Sequence, residues 1–329
     1  MAVEIASSEP FLPLDLERTV FELGCSGTKE IVSLLQVAHR VRAWLEPKLY
    51  ETIFIGPPRT LKGAPYPAYS ATLEAFQELV RRRPMLPLAT RNLFVSRLTV
   101  EEERRVFDAC PNATNVFVHK PVHPLEPYGA DYVFPRRVSE DWDVPLHRLP
   151  ALTRLDIDIL HLGGPLRTPF SSLTHLNIRV HGASVVNVSA VLRIPLHQIL
   201  EHMPSLTHLA FNILPLLKEL SLLVASPASE RLQIIIVQAC SREVLALWAR
   251  AIRRTHPHVL EDPRIFPLDG KVFTSGEDRW LHGIHSEGGM WELAEKEVAC
   301  AREKQASVCE LRYPGLIDYN VALHSILLY

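Results

Sequence analysis

The sequence predicts an α/β protein in three parts: a small N-terminal helical module, an irregular solenoid of stacked strand and helix repeats, and an amphipathic helix capping the far end. Three observations predict it. Between Leu12 and Ile55, apolar residues recur at helical spacing, punctuated by Pro13 and Pro47. From Leu152 onward a Leu-x-x-Leu-x-apolar pattern returns several times. Past residue 290, Trp291, Ala294 and Val298 share one face of a segment otherwise crowded with charge. The expected divisions are 1–55 for the helical module, 56–90 for a linker and helix, 91–270 for the solenoid, and 271–329 for a loop, the cap helix and a tail.

Composition narrows the class. With 329 residues, 47% apolar and 22% charged, the chain can bury a large core. Lys+Arg 35 against Asp+Glu 37 gives a formal charge of −2, so no overall basic field is expected to hold nucleic acid or an anionic membrane. The short clusters Arg81–Arg83, Arg136–Arg137 and Arg253–Arg254 suit helix ends, where cations complement the dipole. Five cysteines, odd in number and without a C-x-x-C pair, fit a reducing compartment, cytoplasm or nucleus. MAVEIASSEP lacks a basic segment followed by an apolar run, so a secretory signal is not expected. The strongest apolar run, Ile213–Ala225, contains Pro215, Lys218 and Glu219 and falls short of the ~20 residues that span a bilayer.

In chain order, Pro13 suits a helix start because its missing N–H costs nothing there. Leu16, Val20 and Leu23 follow on one face, with Phe21 beside them. A second helix places Ile31, Leu34, Leu35, Ala38, Val41 and Leu45 on one stripe, and Pro47 is expected to stop it. Helices this short need packing partners.

These residues resemble the F-box. Leu12-Pro13, then Phe21-Glu22-Leu23, then Val37-Ala38-His39-Arg40 with Trp44, and finally Leu49-Tyr50 leading into Ile53–Ile55 follow that motif over roughly the first sixth of the chain. Gly24–Thr28 departs from it by lacking the usual acidic-Leu step. The whole looks most like the F-box-like proteins with irregular leucine-rich tails of mushroom-forming fungi. The resemblance implies docking to a Skp-type adaptor of a cullin ubiquitin ligase, with Leu12, Pro13, Leu16, Phe21, Val37, Val41 and Trp44 as adaptor contacts. Each could equally serve as internal packing.

From Gly56 to Tyr69, glycine and proline predict a linker, and a helix follows from Leu73 through Phe76, Leu79 and Val80 to the arginine triplet. The repeat then aligns Leu152–Ile157, Leu173–Ile178 and Leu206–Phe211, and more loosely Leu217–Leu222. This is the strand portion of a leucine-rich repeat, echoed at Asn92–Val95, Asn115–Val118 and Leu232–Val237. The anchors are unevenly spaced, and no Asn stands at the usual ladder position. Thr99 with Glu102 makes a capping box for a helix bearing Val106, Phe107 and Cys110; Pro195 starts another, and Ser241 can cap a third. The C-terminal helix, Met290–Gln305, is expected to cap the open end of the stack.

No nucleotide-binding, hydrolase or metalloprotease motif is present, so no enzyme activity and no cofactor are expected. His282 with His285, and His119 with His123, have two-ligand spacing without a third ligand, and 15 histidines supply such pairs by chance, so no metal site is assigned. Asp156 and Asp158 would share one face of a strand, and His175 and His208 would line up across repeats. All four are candidates for an exposed target-binding face, with plain surface filling the alternative.

The sequence therefore predicts a non-enzymatic interaction protein. The favoured version is the substrate receptor of a Skp/cullin/F-box-type ubiquitin ligase, binding an adaptor and an unknown protein target. A freestanding scaffold or regulator whose N-terminal helices only cap the solenoid is the alternative, and an enzyme of another type would need a deep polar pocket.

Overall fold

The computed structural model describes residues 12–25, 27–57, 68–119, 145–158, 169–179, 195–211, 217–239, 242–269, 280 and 289–307. The chain divides into two compact units, Met1–Pro121 with Val144–Leu152, and Val122–Asp143 with Thr153–Tyr329.

The first unit opens with helices α1 (Leu14–Leu23), α2 (Thr28–Leu34) and α3 (His39–Leu49). It continues through β1 (Thr52–Ile55), β2 (Tyr69–Ala71), α4 (Leu73–Arg82), β3 (Asn92–Ser96), α5 (Val100–Ala109) and β4 (Asn115–His119). The strands pair in parallel in the order β2-β1-β3-β4. Parallel neighbours need a crossover, which α4 and α5 supply. Thr72 accepts from the Ala75 N–H to start α4, and the Thr99–Glu102 capping box starts α5 as its sequence predicts. On one sheet face Phe54, Phe94 and Phe117 stack at centroid distances of 4.9 and 4.5 Å. Beside them Asn92 Nδ2 donates to Thr52 Oγ1 at 3.0 Å, and Asn115 Nδ2 to Asn92 Oδ1 at 2.6 Å. Buried amides are thus satisfied strand to strand at the start of the sheet.

The second unit contains β5 (Arg154–Asp158), β6 (His175–Arg179), α6 (Leu196–Glu201), β7 (His208–Phe211) and α7 (Leu217–Ala225). After these come β8 (Ile234–Ala239), α8 (Arg242–Thr255), α9 (Pro257–Glu261), β9 (Ile265–Asp269) and α10 (Met290–Ser307). Its strands run parallel in sequence order. Just before the first three pairings, one carbonyl takes two N–H donors from the next strand: Thr153 O from Thr174 and His175, Thr174 O from Thr207 and His208, and Thr207 O from Gln233 and Ile234. Leu155, Ile157, Leu176, Ile178, Leu209, Ile235 and Val237 are buried on one face. Pro195 starts α6, whose Leu196, Ile199 and Leu200 are buried.

The expected architecture is corrected by this topology. In place of a separate helical module, a leucine-rich-repeat-like solenoid and an end cap, the described residues form an α/β fold with nine parallel strands, four in the first unit and five in the second. β1 begins just after α3 and pairs directly with β3, so the sheet starts inside the stretch read as a helical module. The fourth repeat copy, Leu217–Leu222, lies in helix α7, because a Leu-x-x-Leu step fits one helix face as readily as a strand. The C-terminal helix lies across a sheet face, with Met290, Trp291, Ala294 and Val298 against Ala210, Ile234, Ile236 and Leu268 of three strands.

Two smaller expectations also change. The stripe from Ile31 to Leu45 is split between α2 and α3 by a turn at 35–38, where Val37 N–H bonds to Leu34 O and Ala38 is extended. Pro47 sits within α3 rather than ending it: the Ala43 end of the interrupted ladder is exposed to water, and Tyr50 N–H closes the last turn on Pro47 O at 3.1 Å.

Candidate functional site

Two places gather side chains that an ordinary core does not explain. The first is α1. Phe21 packs with Cys25, Leu34, Trp44 and Leu49 around buried Ile31, Val41 and Leu45. Arg40 bonds Glu17 at 2.7 Å, and Lys48 approaches Glu22 at 3.6 Å, so α3 grips α1 from the same side. The opposite stripe is left open: Leu16, Val20 and Leu23 are 54%, 58% and 81% exposed. Spacing marks these three as the packing face, and the structure shows the reverse.

Of the residues that the F-box resemblance implies, Leu12, Pro13, Leu16 and Val37 are exposed. Phe21 and Trp44 are half-buried, and Val41 is fully enclosed. Leu14, Val20, Leu23 and Val32 join the exposed apolar set, and the signal for Val20 and Leu23 was their i+4 and i+7 spacing from Leu16.

The second place lies in the second unit, where β6 and β7 meet α10. His175 and His208 occupy paired positions on the two strands, and their rings stack at 4.1 Å. Trp291 of α10 sets its edge against both, at 5.2 and 5.7 Å. One turn on, Glu295 brings Oε1 to 3.1 Å from His208 Nε2, close but without hydrogen-bond alignment. Burial, then the neighbouring His208 and Arg154, pushes the His175 pKa down to about 2. Burial likewise lowers that of His208, with Glu295 opposing. Burial thus favours the neutral form of both imidazoles.

On the same sheet face, Asp156 accepts from Asn177 Nδ2 at 2.7 Å and pairs with the buried guanidinium of Arg179. The expectation of an exposed target-binding face is thus corrected for Asp156 and His208, which are buried, while His175 is half-buried. The Asp158 side chain lies outside the described residues, as do His123, His282 and His285 of the two-histidine pairs. Sequence reasoning aligned His175 with His208 but missed Glu295, since nothing in the spacing tells which strands α10 crosses.

No described helix is long and apolar enough to cross a membrane. No family model matches the chain, and neither a curated protein nor a solved structure matches it.

Proposed function

We propose that the chain is a non-enzymatic protein-interaction protein that docks a partner through the open stripe of α1. A Skp-type adaptor of a cullin ubiquitin ligase is that partner, and the remainder of the chain receives an unidentified protein target. The observation that carries the reading is the exposure of Leu16, Val20 and Leu23 on a helix already anchored from its other side. Burying one such side chain is worth roughly 1.5–3 kcal/mol, so the stripe is a preformed apolar surface that needs little ordering to bind. Leu12-Pro13, Phe21-x-Leu23 and Val37-x-x-Arg40 with Trp44 support the adaptor as its occupant through their F-box resemblance. A reducing compartment, cytoplasm or nucleus, suits this role and the free cysteines.

The test is co-expression of the full chain with a Skp-type adaptor, followed by size-exclusion chromatography. Wild type is expected to co-elute, and Leu16→Glu with Val20→Glu to separate. Surface variants are preferable to deleting residues 1–55, because that deletion removes β1 from the sheet. A wild type that never co-elutes ends the adaptor reading. A second reading, a freestanding scaffold, is favoured by one observation: Val41, an implied adaptor contact, is wholly enclosed with Ile31 and Leu45.

A further inference from the structure

We propose that His175, His208 and Glu295 form a zinc-class metal site that ties α10 to β6 and β7, independently of how α1 is used. One ligand atom from each residue lies within 4.8 Å of the other two. Zinc holds imidazole nitrogen and carboxylate oxygen at about 2.0–2.2 Å, which sets tetrahedral ligand atoms roughly 3.3–3.5 Å apart. His208 Nε2 and Glu295 Oε1, at 3.1 Å, are already that close. The remaining arm closes by at most roughly 1.5 Å, and the two rings turn out of their stack through side-chain torsions so that their in-plane lone pairs converge on the ion.

A threonine hydroxyl backs each ring at Nδ1. Thr174 Oγ1 lies 3.0 Å from Thr153 O and 2.8 Å from His175 Nδ1. Thr207 Oγ1 repeats this, 3.2 Å from Thr174 O and 2.8 Å from His208 Nδ1. A hydroxyl has one proton. Where it is donated to the carbonyl, the oxygen accepts from Nδ1–H and Nε2 carries the free lone pair, the tautomer that ligation uses. A ring N–H held from behind by an oxygen is the arrangement that orients ligating histidines.

The donor set chooses the ion. Two nitrogens and one carboxylate oxygen favour zinc, or nickel and copper in competition, over magnesium and calcium, which prefer all-oxygen shells. Glu295 is half-exposed, so a fourth position can take water, while Trp291 covers the rings from the side.

The experiment strips the full chain with chelator and titrates zinc sulfate by calorimetry, with Tm followed in parallel. Wild type is expected to bind one zinc per chain and to gain Tm. Glu295→Ala, at a half-exposed helical position that does not threaten folding, and His175→Asn are each expected to weaken binding tenfold or more and to lose the gain. His256→Ala with His258→Ala, a ring pair 6.0 Å apart elsewhere in the unit, is expected to leave binding unchanged. Three results overturn the proposal: a wild type that takes up no zinc, Glu295→Ala and His175→Asn binding as tightly as wild type, or binding that is lost only in the His256/His258 variant.

Discussion

The imidazoles of His175 and His208 stack 11° from parallel, and Trp291 of α10 stands edge-on to both at 76° and 86°. Two adjacent strands and one helix thus share an aromatic junction, continued by Ala294 and Val298 over the apolar strands beyond.

That junction predicts a stability effect. Trp291 is buried between the histidine pair and the apolar patch, so Trp291→Ala is expected to cost about 3–5 kcal/mol through lost burial and the cavity left behind. Urea unfolding measures it. A loss under about 1 kcal/mol would mean that α10 is not docked as described.

Asp156 and Arg179 are buried together on β5 and β6. Asp156→Ala removes the carboxylate facing a buried guanidinium and is expected to cost about 3–5 kcal/mol, whereas Asp156→Leu with Arg179→Met is expected to recover most of the loss. A double-mutant cycle by urea unfolding checks this, and additive single effects would show that the two do not act as a pair.

Much of the secondary structure was legible because its signals are local. The Thr99–Glu102 capping box, Pro195 at the start of α6, and the β-rich runs at Asn92 and Asn115 each announce an element within a few residues. Local signals do not reach features that depend on packing partners. Leu217–Leu222 has the same leucine spacing as the strand copies, and only tertiary packing makes it helix α7. Leu16, Val20 and Leu23 show a perfect apolar stripe, yet periodicity cannot say whether a stripe faces this chain or another. Likewise His175 and His208 were aligned from the repeat, but their burial depends on where α10 lies, which no spacing encodes.

The buried thiol of Cys110 offers a chemical check. Burial pushes its pKa up to about 12, so almost no thiolate forms near pH 8. Native protein is expected to resist iodoacetamide at Cys110 and to react fully in urea, as peptide mass spectrometry would read. Rapid native labelling would show that the site opens readily.

Helix α5 depends on its N-terminal cap, in which Thr99 N–H donates to Glu102 Oε2 at 2.7 Å and Thr99 Oγ1 accepts from the Glu102 N–H at 3.3 Å. Thr99→Ala is expected to cost about 1 kcal/mol, and Thr99→Ser to cost less. Equal losses for both, measured by thermal unfolding, would assign the effect to packing of the methyl group instead.

The central claim is that the outward stripe of α1 is a binding surface, and calorimetric titration of the purified full chain with a purified Skp-type adaptor tests it most directly. The account predicts saturable binding by wild type and at least a tenfold weaker complex for Leu16→Glu with Val20→Glu, while the unfolding midpoint stays close to wild type because neither side chain is part of the core. Absence of heat with the wild type, or equal affinity in the double variant, would contradict it.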